Sequence, residues 1–93
     1  MQVQIIHTIT QTPEEGRRIL YADLACGNHS AYVQISSGPE SWQNEVRVVV
    51  KNSSWKAWRG MGRKFRSVSE SLAAYKTAAV REMIQTAAEI HAA

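Results

Sequence analysis

Ninety-three residues with one cysteine and a formal net charge of +3 describe a chain large enough for one hydrophobic core and too small for two. Apolar residues make up 44% and charged residues 20%, which excludes a disordered polyampholyte and fits a globular domain. No run approaches the roughly 18 apolar residues that cross a membrane, residues 1–7 lack the basic start of a secretory signal, and the lone Cys26 excludes an internal disulfide framework. The expectation is a cytoplasmic protein with no membrane partner.

The first element reads as a strand, since Val3, Ile5, His7 and Ile9 alternate with Gln4, Ile6, Thr8 and Thr10. That parity places His7 with the apolar set, in the core or at its rim. Thr12-Pro13-Glu14-Glu15-Gly16 is a turn, because proline presets one dihedral and glycine permits positive φ at another. A second strand follows from Arg17 to Cys26, with Leu20, Ala22, Leu24 and Cys26 on one face. Gly27-Asn28-His29-Ser30 has hairpin length. The third strand, Ala31 to Ser36, points Val33 and Ile35 inward and Tyr32 and Gln34 outward. After Ser37-Gly38-Pro39-Glu40-Ser41 a fourth runs from Trp42 to Lys51, with Val46, Val48 and Val50 inward and Arg47, Val49 and Lys51 outward. Connections this short favour antiparallel neighbours, as parallel pairs need a long crossover.

Beyond Asn52 the period changes. Ser53 or Ser54 can cap a short helical turn through Trp58, which Gly60 and Gly62 would end. Ser67-Val68-Ser69-Glu70 matches a capping box, and from there to Ala93 helix formers dominate. Val68, Leu72, Ala79, Val80, Met83, Ala87 and Ile90 form an apolar arc, with Glu70, Arg81, Gln85 and Glu89 opposite. On one continuous helix Lys76 would lie only about 40° from Leu72, inside that arc. Either its stem snorkels, or the helix breaks at Tyr75-Lys76-Thr77 and Thr77 caps a second one; the break is the favoured reading. The arc packs by default on the chain's own sheet, although Met83, Ile84, Ala87 and Ile90 would also suit a homodimer.

The expected fold is therefore α+β: an antiparallel meander of about four strands over residues 1–52, a connection over 53–66, and a helix or helix pair over 67–93 packed on one face. All of it forms one domain.

Charge is segregated along this plan. Arg47, Lys51, Lys56, Arg59, Arg63, Lys64 and Arg66 fall between Val46 and Ser69 without one acidic residue, and Trp55, Trp58 and Phe65 are threaded among them. Cations meet phosphates and flat side chains stack on unpaired bases, so this composition points to nucleic acid. Trp55 and Trp58 are the stacking candidates, while Phe65 belongs to the core beside Val68 and Leu72. The alternative is that both tryptophans cover the open end of the sheet and the bases are a solvated face. Tyr21, Tyr32, Gln34, Arg47 and Lys51 would form a second surface if the outer sheet face stayed bare.

Enzymatic and metal chemistry find little support. Asp23, Cys26 and His29 recur every third residue, but a structural zinc site needs four ligands in paired spacing. No phosphate-cradling Gly-Lys-Ser/Thr motif, HExxH pair or Gly-x-Ser-x-Gly elbow occurs. No catalytic residue, metal or cofactor is expected.

The run Gly62-Arg63-Lys64-Phe65-Arg66-Ser67-Val68-Ser69-Glu70, with Tyr75-Lys76 and Arg81-Glu82-Met83-Ile84, resembles small uncharacterised proteins of phages and other bacterial mobile elements. Size and layout are also similar to anti-CRISPR and host-takeover proteins. The resemblance implies a bacterial host cytoplasm and action by binding. Two functions remain open: a small nucleic-acid-binding accessory protein, or an inhibitor or adaptor that docks on a host protein complex such as a CRISPR effector.

Overall fold

Alternating side chains build the sheet, and a computed structural model describes residues 2–51 and 62–93 of the chain. Among the described residues the strands are β1 (Val3–Gln11), β2 (Arg18–Cys26), β3 (His29–Ser37), β4 (Glu45–Lys51) and β5 (Arg63–Phe65). They form one antiparallel sheet in the order β1-β2-β3-β4-β5. Two helices follow, α1 (Val68–Ala74) and α2 (Ala78–Ala92). The α+β meander expected from the sequence is thus present, with a fifth, three-residue strand inside the stretch read as a connection. The expected helical turn through Trp58 lies outside the described residues.

Hairpin chemistry fixes the register of the central pair. Cys26 faces His29 across the two-residue turn Gly27-Asn28, and Gly27 has a φ of 61°, the left-handed value a II′ turn requires at its first position. Every later pair follows, from Leu24↔Ala31 to Arg18↔Ser37. Leu20, Ala22, Leu24 and Cys26 thereby share a face with Ala31, Val33, Ile35, Val46, Val48 and Phe65, and all are buried. The helices lie on that face. Ala79, Val80, Met83, Ile84 and Ala87 of α2 complete the core, so the helix stripe packs on its own sheet. Full burial of each large side chain here, such as Leu20, Leu24, Met83 and Ile84, is worth about 1.5–3 kcal/mol.

The helical region breaks where Lys76 demanded it. Residues Tyr75, Lys76 and Thr77 separate α1 from α2, Thr77 is the N-cap residue of α2, and Lys76 is exposed. Ser67 caps α1 by accepting from the Glu70 amide at 3.1 Å. The arginine assigned to the outer face has a structural task instead. Arg81 Nη1 donates to the Leu72 and Tyr75 carbonyls, closing the end of α1 against α2.

Three expectations about the strands need correction. In β1, Ile5 pairs with Leu24 but His7 with Asp23, so Ile6 is one extra residue in a β-bulge. The bulge reverses the parity: Val3 and Ile5 share the helix face, whereas His7 and Ile9 turn to the second face, and His7 is exposed rather than in the core. Second, β4 begins at Glu45, because Ser41-Trp42-Gln43 forms a 3-10 turn. Third, Tyr32 and Val49, placed outward, do lie on the second face, yet both are buried. Tyr32 sits on the central strand between Asp23 and Val49, and its hydroxyl donates to Gln34 Oε1 at 2.9 Å.

Candidate nucleic-acid interface

The short strand β5 organises the basic residues that follow the connection. Phe65 pairs with Val46 and is buried, which anchors the strand on the helix side. Gly62 precedes it at a φ of 123°, and a Cβ there would collide with the Val49 side chain and the Val48 carbonyl. Only glycine lets the chain enter the edge position so closely. Alternation then sends Lys64 to the second face beside Arg47, its pairing partner, and Arg63 to the helix side. Arg66 leaves the strand end towards Asn44 and Trp42.

Of the nine residues singled out from the sequence, Trp55, Lys56, Trp58 and Arg59 lie outside the described residues. The other five divide by environment. Lys51 Nζ is 3.1 Å from Asp23 Oδ1, and Arg47 Nη2 is 3.4 Å from Glu45 Oε2, so both charges are already paired and half-buried. Arg63, Lys64 and Arg66 are exposed and form no ion pair among the described residues. Arg63 is nevertheless held, since its guanidinium lies 5.2 Å from the Phe65 ring centroid and 5.4 Å from that of Tyr75. Those two rings meet edge to face at 5.9 Å. Burial pushes the Tyr75 phenol above its ordinary range, and the Arg63 charge opposes that rise.

The outer sheet surface expected from Tyr21, Tyr32, Gln34, Arg47 and Lys51 is reduced. Tyr32 is buried, and the rest are half-buried. What remains is an open depression of about 450 Å³ where Ile6 faces Asp23, Ala25 and Lys51. Among the described residues its one cation, Lys51, is neutralised by its one carboxylate, Asp23, so these offer a phosphate little.

Asp23 and Cys26 fall on opposite faces of β2, which separates the suggested ligand trio. Cys26 is buried with its thiol 3.5 Å from Glu82 Oε2. Burial first, and the neighbouring carboxylate second, push that thiol above its ordinary value.

One residue escaped the sequence reading. The sequence predicts Trp42 at the start of a strand, but it lies in the 3-10 turn and is 70% exposed. Arg17 lies over its ring at 5.7 Å, and Trp42, Ser41, Asn44 and Arg66 line an open depression of about 490 Å³. The signal available was Ser37-Gly38-Pro39-Glu40-Ser41, a breaker-rich stretch that can run on into a turn. No protein-family model, curated protein or solved structure matches the chain.

Proposed function

We propose that this protein binds nucleic acid without catalysing a reaction on it, through the basic edge formed by β5 and the residues around it. The observation that carries the reading is the run of Arg63, Lys64 and Arg66, exposed on a fixed strand end and free of ion pairs among the described residues. Cations held this way meet phosphates without first breaking a salt bridge, and such contacts give affinity with little base readout. Lys56 and Arg59 extend the same charge in sequence, with Trp55 and Trp58 as further stacking residues. Arg47 and Lys51 act as secondary contacts, because each would trade a carboxylate for a phosphate.

Salt titration of a labelled single-stranded oligonucleotide tests this. Binding is expected at low ionic strength, with log K falling linearly in log salt. Lys64→Gln with Arg66→Gln should lower the slope by about 0.7 per base removed. Absence of binding at low salt, or a slope unmoved by the double substitution, overturns the proposal.

A second reading is an inhibitor or adaptor of a host effector complex, the setting that the resemblance to mobile-element proteins implies. It is favoured by the opposite edge of the sheet, where Ile5, Ile6 and Ile9 of β1 are exposed at 53%, 64% and 38%. It requires a protein partner that is retained after nuclease treatment, and no useful affinity for free oligonucleotide.

A further inference from the structure

The turn between β3 and β4 is built with more care than a connection needs. Gln43 is buried, and its Oε1 accepts from the Glu40 amide at 2.9 Å. Its side chain also fills the space that a Cβ on Gly38 would take. Asn44 Nδ2 donates to the Glu40 carbonyl at 3.0 Å and to the Gly38 carbonyl at 3.2 Å, and Asn44 Oδ1 accepts from the Gly38 amide at 3.4 Å. Two amide side chains thus lock seven residues around a 3-10 turn. The large side chain at its centre, Trp42, is left in solvent. Tryptophan is normally well covered, so a rigid turn that presents one is unusual.

The surroundings say what suits that ring. Exposed apolar residues elsewhere, Ile5, Ile6, Ile9 and Val50, do not line the depression beside it. Its neighbours are Ser41, Asn44, Arg66 and the guanidinium of Arg17. Arg17 Nη1 is tied to Glu14 at 3.3 Å, while its Nε is buried without a hydrogen-bond partner among the described residues. A protein hot spot seats such an indole in a well-packed, desolvated pocket, whereas Trp42 lines an open depression. An indole beside Arg66, which forms no ion pair among the described residues, instead offers a π-face to a base and a cation to a neighbouring phosphate, while Glu14 holds Arg17 at the ring.

We infer that Trp42 is a stacking platform for one unpaired base, with Arg66 contacting the neighbouring phosphate, so that the ligand is single-stranded nucleic acid. The inference rests on the nucleic-acid reading above and adds the strandedness of the ligand and a residue which that reading does not need. The arrangement predicts affinity for the bases themselves, not for phosphate alone.

The test uses the full chain and two fluorescein-labelled 12-mers, oligothymidine and a strand of the same length made of abasic sites. Oligothymidine should bind at least about fivefold more tightly than the abasic strand. Trp42→Ala should remove that advantage and leave the abasic affinity unchanged, and Trp42→Phe should restore part of it. Because Trp42 is exposed, its variants keep the thermal unfolding of the parent, which is checked alongside. Equal binding of the two strands overturns the inference while the phosphate-based function stands. So does a Trp42→Ala effect of equal size on both strands, or none on either. Failure of both strands to bind at low salt overturns the function and the inference together.

Discussion

Cys26 shows what one side chain can do to the whole titration. Its thiol is buried against Glu82, and burial alone favours the protonated form. Tyr75 is shifted in the same direction by burial. For both groups the folded chain keeps a proton that the unfolded chain would release. Their contribution is therefore complete below the unfolded thiol pKa and is lost as pH rises towards and through the folded values. The urea midpoint should hold through neutral pH and fall in the alkaline range, with the first part of that fall absent in Cys26→Ala. The native thiol should also resist alkylation until denaturant is added. A flat midpoint above pH 9, or a native thiol as reactive as the unfolded one, would contradict the assignment.

Among the elements, the corner between α1 and α2 carries the clearest energetic claim. Seven residues make a helix that is marginal on its own, and its last carbonyls need donors. Arg81 supplies them from the next helix at Leu72 and Tyr75. Arg81→Met should cost about 1.5–3 kcal/mol, the usual worth of hydrogen bonds to a charged group, read from the urea midpoint at constant m-value. A loss below about 0.5 kcal/mol would show that the corner is held by packing alone.

The same corner marks how far the sequence could be read. Lys76 on an apolar arc foretold the break, and Ser67 three residues before Glu70 foretold the cap, because both are local signals. The task of Arg81 depends on two helices folding back, which no periodicity reveals. Likewise Val46, Val48 and Phe65 announced themselves as core, whereas the pairing of Phe65 with Val46 joins residues distant in sequence. Trp42 misled for a related reason: an aromatic residue just before alternating valines looks like strand, and only the Gln43 and Asn44 side-chain bonds make it a turn. On the candidate site, the sequence identified the charged residues but not their pairing. Asp23 lies 28 positions from Lys51, yet meets it across the sheet.

At the scale of the molecule, the two borders of the sheet are unlike. β5 is three residues long and bristles with charge, which discourages any further strand. β1 is nine residues long, holds no Lys, Arg, Asp or Glu, and shows three isoleucines to solvent. A straight strand of that composition would be a template for its own kind, and self-association would cap the concentration at which the chain stays dispersed. The extra residue at Ile6 interrupts the row of free amides and carbonyls, so an incoming strand cannot stay in step on both sides of it. Deleting Ile6 would leave Ile5 opposite Leu24 and His7 opposite Asp23, restoring a regular ladder without moving the core. The deletion should therefore unfold near the parent midpoint while its light scattering grows steeply with concentration, and a variant as clear in solution as the parent would refute the argument. By this account an irregular residue of the sheet, Ile6, acts as a guard on solubility.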